Sequence, residues 1–488
     1  MSAEQFRRLG REMVDRVAAY METVEQSPVL SASRPGQTLD QLPRSAPEHG
    51  EAWPDILADI DRVIMPGLTH WQHPSFFGFF PANTSGPSIL ADLLCAGLGV
   101  QGMLWATSPA CTELETRVCD WMAELLGLPE SMRSTASSGG GVIQGTASES
   151  TLVALVAARH RVQRRAGRDV RPVLYASTQA HSSVVKAAMI AGLADGPEDR
   201  RFVRLIGTRD DLSMDAAQLH RAVDADVAAG LSPAIVVATV GTTSSTAIDR
   251  LDDIAPIARA AGAWLHVDAA YSGAACICPE QRERHWGSGP GLASVDSLAI
   301  NPHKWLLTGF DCNLTWTSDR SSWTGALSVT PEYLRNAAST SGSVIDYRDW
   351  QVPLGRRFRA LKLWFVIRHY GAAGLRAYIR DHIRLAGVFE ELVRTDDRFE
   401  IAAERTSGLV CFRLRPLPGE PAPDTDARNK ALLDRVSATG RAYLTHTVLP
   451  ATGASPLPRL VLRLALGATG VQERHVRLAW DVLRDAAG

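Results

Sequence analysis

The chain carries no surplus charge of either sign: 51 lysines and arginines stand against 53 aspartates and glutamates in 488 residues, a formal net charge of -2. It therefore lacks the broad basic field that draws nucleic acid or anionic lipid, and a small-molecule substrate is the better expectation. Cysteine is sparse and unpatterned. The seven, at positions 95, 111, 119, 276, 278, 312 and 411, form no CxxC pair, and no histidine stands at metal-ligand spacing. Reduced thiols are expected, with neither a disulfide framework nor a metal site. The start, MSAEQFRRLGREMVDRV, has no apolar core of a secretory signal, and no stretch approaches the roughly 18 apolar residues of a membrane span. A soluble cytoplasmic protein, with no membrane or nucleic-acid partner, is the expectation.

What is present is length and alternation. At 488 residues the chain can bury a large core with smaller additions around it. Phe6, Leu9, Met13, Val17, Tyr20 and Met21 recur at helical spacing, residues 30–53 read as a loop rich in Pro, Ser and Gly, and Ile56, Ile60 and Ile64 resume the helical pattern. This predicts an N-terminal helical arm over residues 1–85. From 86 to 361, short β-branched runs alternate with amphipathic ones: PVLYAS at 172–177, RFVRLI at 201–206, AIVVATV at 234–240, WLHVDA at 264–269 and SLAI at 297–300. Runs that are apolar on both faces predict parallel strands between helix layers, hence a doubly wound α/β domain that binds ligands at the strand C-terminal ends. Beyond it, a long helical stretch, FEIAAE and GLVCFRL, a Pro-rich loop at 416–423 and a last strand–helix pair predict a small α+β domain over 362–488.

The sharpest local signal is NPHKW at 301–305. Lys304 follows a strand and lies between His303 and Trp305, a setting that strips hydration from an ammonium and favours the neutral amine needed for Schiff-base chemistry. Alone, such a lysine reads better as one snorkelling from a core edge. Asp268, closing WLHVD, changes that preference. It suits the acid partner that pyridoxal phosphate needs at its pyridine nitrogen, although a helix N-cap is an equal reading of the residue by itself. SSGGGVIQGTASES at 137–150 reads as a small-residue turn whose backbone amides can meet a phosphate, with Ala147 and Ser148 at the helix start. His181 after PVLYAS and Thr243 after AIVVATV fall on the same sheet edge.

With those residues in hand, the chain resembles the group II pyridoxal-phosphate decarboxylases, specifically the aromatic-L-amino-acid decarboxylases. The resemblance runs nearly end to end, through IMPGLTHWQHP, SPACTELE, GGGVIQGTASE, QAHSS, WLHVDAAYSG, NPHKWLL, DYRDWQVPLGRRFRALKLWF and GLVCFRL. It implies a fold type I, aspartate-aminotransferase-like large domain with pyridoxal 5′-phosphate carried on Lys304. Asp268 is then the partner of the pyridinium nitrogen, Ala147, Ser148, Thr243 and Asn301 are cofactor contacts, His303 lies beside the phosphate and His181 stacks over the ring. It also implies a homodimer with shared active sites, in which Tyr333 of TPEYL protonates Cα after carbon dioxide leaves. Retention of both Tyr333 and His181 points to a decarboxylase rather than an aldehyde synthase, where one of the two is replaced. The implied substrate wall comprises Trp71, Phe79, Phe80, Pro81, Ala82, Met103, His181 and Gly355. Relative to animal DOPA decarboxylases, Phe79, Ala82 and Met103 stand for Tyr, Thr and Phe, removing two hydroxyls. Together with the room at Gly355 this ranks tryptophan first, ahead of DOPA, 5-hydroxytryptophan, tyrosine and phenylalanine. A catalytically silent cofactor-binding assembly protein, with RRFR at 356–359 and RRAGR at 164–168 as partner surfaces, is the reading from another class. Basic runs more often serve as solvated faces or carboxylate clamps.

Overall fold

The computed structural model describes residues 1–329, 344–453 and 455–488. Seven strands build the large sheet: β1 (Gly140–Gln144), β2 (Pro172–Ser177), β3 (Val203–Ile206), β4 (Ser232–Thr239), β5 (Trp264–Asp268), β6 (Ser297–Ile300) and β7 (Asn313–Thr317). Their order is β1-β7-β6-β5-β4-β2-β3, and only β7 runs against the others.

The pleat sends alternate residues to opposite sides. Leu174, Ala176, Ile235 and Val237 enter one core with Val153, Leu155 and Val184 of the helices Ala147–Ala166 and Ser183–Ile190. Val173, Tyr175, Val236 and Ala238 enter another with Val118, Leu219 and Ile254 of the helices Pro109–Leu126, Ala216–Ala228 and Leu251–Ala260. Each fully buried Val, Leu or Ile contributes about 1.5–3 kcal/mol, so both sheet faces are sources of stability. All five strands expected from apolar runs are present, and the doubly wound reading holds.

Three local readings need correction. The Gly-rich stretch at 137–150 is a turn only in part, because Gly140–Gln144 is the fully buried strand β1. A Cβ at Gly141 would stand 2.7 Å from the Trp316 ring and 2.8 Å from Cys119 Cβ, so the glycine serves close packing of a strand. Within the expected 30–53 loop a short helix, Gln37–Gln41, forms. The Pro-rich loop ends in a helix, Ala422–Ala438, whose first turn takes Pro423, a place where the missing N–H costs nothing.

The second sheet is antiparallel, in the order β10 (Thr445–Leu449), β11 (Arg459–Ala465), β9 (Leu409–Leu414) and β8 (Phe399–Ile401). Its core is aromatic, with Phe389 edge-on to Phe412 at 5.1 Å and Phe399 to Trp480 at 5.2 Å. The helix Arg359–Arg394 joins the two sheets and turns at Gly371 (φ 65°, ψ 171°), so the boundary expected at 361 falls near its start. At the other end, the helix Ala3–Thr23 buries only Leu9 and leaves Phe6, Val14 and Met21 exposed.

The run RRFR is a clamp. Arg356 pairs with Glu115, each side chain 1% exposed, and stacks over Tyr347 at 5.0 Å, while Arg359 pairs with Asp311 at 3.0 Å. Glu115 also accepts the Ile143 N–H at 2.8 Å, tying β1 to the Pro109–Leu126 helix. Glu115→Ala strands a buried guanidinium and is expected to cost about 3–5 kcal/mol, read as a lower midpoint in urea unfolding. An unchanged midpoint would show that the pair carries no stability.

Candidate active site

The C-terminal ends of β1, β2, β4, β5 and β6 open into one cavity of about 220 Å³. Its walls include Phe80, Ala147, Ser148, His181, Thr243, Asp268, Asn301, His303 and Lys304. All the cofactor-contact candidates named from the sequence therefore meet in one place, although they are spread over more than 150 positions. Thr146, Thr239, Gly241, Ala270, Tyr271 and Phe310 complete the lining and were not expected. Gly241 has φ +89°, and a Cβ there would collide with Ser272 Oγ, so only glycine fits this part of the rim.

Lys304 is set by its neighbours in sequence. After the buried strand β6, Pro302 opens a single helical turn, Pro302–Trp305, and the Lys304 N–H returns to the Asn301 carbonyl at 3.0 Å. Asn83 donates to the Lys304 carbonyl at 2.8 Å. Beneath, Trp305 stacks on Tyr271 (4.5 Å) and Tyr271 on Phe80 (3.9 Å), each pair 14° from parallel. The amine at the end of the lysine has no hydrogen bond or ion pair among the described residues and stands 5.5 Å from the centre of the Phe80 ring. Burial drives its pKa down, against the pull of Asp268, with Arg463 adding to the decrease.

Asp268 is buried, and Oδ1 accepts the Ala270 N–H at 3.1 Å. The other carboxylate oxygen takes no donor among the described residues. The N-cap-like contact and the cavity-facing carboxylate thus coexist in one residue.

His181 Nδ1 accepts the Ser183 N–H at 3.1 Å and lies 2.8 Å from the Ser183 hydroxyl. Because a backbone N–H can only donate, the ring proton sits on Nε2, and burial lowers the pKa toward this neutral form. His303 repeats the pattern: Nδ1 accepts the Cys312 N–H at 3.0 Å, and burial pushes the pKa down to about 4. Both imidazoles are neutral donors through Nε2.

At the start of the 20-residue helix Ala147–Ala166, the Thr146 side chain makes no capping bond, and the Ala147 and Ser148 amides have no acceptor among the described residues. Free amides at a helix N-terminus suit an anion. Thr239 Oγ1 is buried and unpartnered in the same wall. An anion-ready end, an unpaired amine and a carboxylate across from it fit a phosphorylated aldehyde with a basic ring nitrogen. Asn313, unseen in the sequence, braces this arrangement by donating to Ile300 O (2.8 Å) and Asn301 Oδ1 (2.7 Å).

The substrate-wall candidates do not all gather. Phe80 and His181 reach the cavity. Trp71 and Phe79 stack on each other at 5.6 Å and are 39% and 50% exposed, Pro81 packs on Gly467, and the Ala82 carbonyl accepts from Gln72. Gly355 lies beside Gln101, the Met103 carbonyl accepts the Arg348 N–H at 3.1 Å, and neither residue lines the cavity. Tyr333 lies outside the described residues.

This fold and this lysine-centred cavity define an enzyme that carries pyridoxal phosphate, and the chain belongs to the pyridoxal-dependent decarboxylases: the pyridoxal-dependent decarboxylase conserved domain matches residues 35–415. It is a pyridoxal-phosphate-dependent carboxy-lyase. Among its relatives, a phenylacetaldehyde synthase of Arabidopsis thaliana is 47% identical over 489 residues, spanning 100% of this chain and 96% of that one. An aromatic-L-amino-acid decarboxylase of Bos taurus is 47% identical over 500 residues, spanning 100% and 97%. The crystal structure of Oryza sativa TDC with PLP and tryptamine superposes with a TM-score of 0.94 at 42% identity, covering 100% of this chain and 98% of that one.

Proposed function

We propose that the chain removes the α-carboxylate of an aromatic L-amino acid to give the arylalkylamine and carbon dioxide, with tryptophan to tryptamine ranked first. The observation that carries this reading is the unpaired Lys304 amine in a cavity that also holds Asp268, neutral His181 and the uncapped amides of Ala147 and Ser148. The aromatic preference is supported by the Phe80 ring in the cavity wall. Relatives named for phenylacetaldehyde, aromatic L-amino acids and tryptamine point the same way.

Bound pyridoxal phosphate supplies a protonated pyridine ring that accepts the electron pair released at Cα. Lys304 would hold it covalently, the Ala147 and Ser148 amides with His303 would hold its phosphate, and Thr243 and Asn301 would border it. Asp268 would keep the proton on the ring nitrogen. His181 would offer its Nε2–H toward the ring. Tyr333 would deliver the proton to Cα. Fixed dipoles and charges aimed at the developing charge are the main source of rate enhancement.

A homodimer fits two observations. The helix Gly86–Leu98 exposes Leu90, Leu93, Leu94 and Leu98, an apolar face of the kind that marks an interface. Met103 and Gly355 lie off the cavity, so a second copy can bring them to the wall of its partner's site. The division into 1–85, 86–361 and 362–488 goes with this, the first segment serving as an interface arm. All seven cysteines are buried and unpaired, in keeping with a reducing cytoplasm. Among the described residues no helix is long and apolar enough to cross a membrane.

The phenylacetaldehyde synthase relative keeps a second reading in view, decarboxylation coupled to oxidative deamination. Incubation with tryptophan, 5-hydroxytryptophan, tyrosine, phenylalanine and DOPA, with products identified by mass spectrometry, separates the two. Tryptamine as the dominant product is expected. Aldehyde with ammonia and hydrogen peroxide overturns the decarboxylase reading, and a dominant phenolic amine overturns the ranking. Tyr333→Phe is expected to keep the cofactor and shift product from amine toward aldehyde. Unchanged amine output would remove Tyr333 from the protonation step.

A further inference from the structure

Arg463, on β11, is a buried cation, 3% exposed, and no carboxylate pairs with it among the described residues. Its donors are spent on the scaffold. Nε donates to the Ser244 carbonyl (3.2 Å), Nη1 to the Thr445 hydroxyl (2.9 Å), and Nη2 to the carbonyls of Thr243 (2.7 Å) and Phe79 (3.4 Å). The loop after β4, the aromatic turn and β10 are thereby clipped together. The guanidinium carbon stands 5.2 Å from the centre of the Phe80 ring, the same ring that Lys304 Nζ approaches at 5.5 Å. The guanidinium and the lysine amine therefore share one phenyl group, which is itself stacked on Tyr271. A buried guanidinium without a counter-charge costs more than an apolar side chain of similar volume, and its placement behind the reactive lysine gives that cost a use.

We propose that Arg463 is a positioning residue for Lys304, acting through Phe80: it fixes the Phe79–Phe80 turn and the Thr243 loop, and its charge disfavours a second cation in the cavity. The lysine is then held as the neutral amine that condenses with the cofactor aldehyde, losing water, which an ammonium cannot do. The other groups facing Lys304 are accounted for. Asp268 on β5 favours the ammonium, so Arg463 and Asp268 oppose each other across the lysine. The Ser183 N–H on His181 Nδ1 and the Cys312 N–H on His303 Nδ1 favour the neutral rings, and the Tyr271 phenol is pushed well up by burial.

The test uses the full chain stripped of cofactor and follows Lys304 labelling by fluorodinitrobenzene as a function of pH, read on the Lys304 peptide by mass spectrometry. In Arg463→Met the labelling midpoint is expected to rise by about one pH unit, which slows labelling about tenfold below the midpoint. Arg463→Lys, which retains the charge, is expected to stay near the parent. Coincident midpoints for Arg463→Met and the parent overturn the proposal, as does an Arg463→Lys midpoint shifted as far as that of Arg463→Met. Should Arg463→Met fail to fold, Arg463→Gln replaces it in the same comparison. The proposal rests on Lys304 as the cofactor lysine. Retention of cofactor by Lys304→Ala would remove that reading, whereas an unmoved labelling midpoint removes only the role of Arg463.

Discussion

Lys304→Ala is expected to yield a folded protein that no longer shows the cofactor's visible absorbance after gel filtration, with decarboxylation lowered more than about a thousandfold. Among the described residues lining the cavity, Lys304 supplies the only primary amine, and the unpaired state of that amine leaves it free to react. The fold should tolerate the change. The lysine's structural contacts are made by its backbone, through the Asn83 bond to its carbonyl and its own N–H to Asn301, and alanine keeps both. Lys304→Arg sharpens the test, because arginine keeps a positive charge yet stays protonated and cannot serve as a nucleophile. Both variants should lose absorbance together. A Lys304→Arg protein that retained the band would mean that charge alone holds the cofactor, and the covalent role would fall.

The five parallel strands β2–β6 were legible because each is apolar on both faces and bounded by polar turns. Residues at their C-terminal ends could then be assigned to one edge before any distance was known, which is why Lys304, Asp268, His181 and Thr243 were found. The two strands missed in the large sheet failed that criterion for opposite reasons. β1 is made of GGVIQ, and its glycines signal a turn until Trp316 and Cys119 are seen to fill the space of their side chains. β7, NLTWT, alternates polar residues that look solvent-facing. Asn313 and Thr315 in fact point inward, to Ser150 (2.5 Å each) and, through Asn313, to Asn301 (2.7 Å). A satisfied polar network costs little when buried, and nothing in a linear string distinguishes it from a loop.

The same limit applies to Arg463 and Tyr271. Each lies far in sequence from the groups it contacts across the junction of the two sheets: Arg463 lies against Phe80 and the loop after β4, and Tyr271 donates to the Leu466 carbonyl at 2.7 Å. Periodicity reports which face of an element is buried, and it is silent on which distant element covers it. Met103 and Gly355 are a further case. The family resemblance assigned them to a substrate wall, yet within one chain they lie apart from the cavity.

Asp268→Asn is the variant expected to separate holding the cofactor from activating it. Asparagine has nearly the same volume and keeps an oxygen to accept the Ala270 N–H, so the turn at the end of β5 should survive. It carries no negative charge with which to keep a proton on the pyridine nitrogen, so the ring loses much of its power to accept the electrons from Cα. Turnover should fall by about a thousandfold or more while the visible absorbance persists, since Lys304 and the Ala147 and Ser148 amides are untouched. Asp268→Glu restores the charge but reaches one methylene further into the cavity. It should recover part of the rate, which rules out loss of packing as the cause. Turnover of Asp268→Asn at the parent rate, with absorbance intact, would falsify the pyridine-partner role and return Asp268 to its simpler reading as a cap. Loss of absorbance in Asp268→Asn would instead assign the carboxylate to cofactor retention, alongside Lys304 and the helix amides.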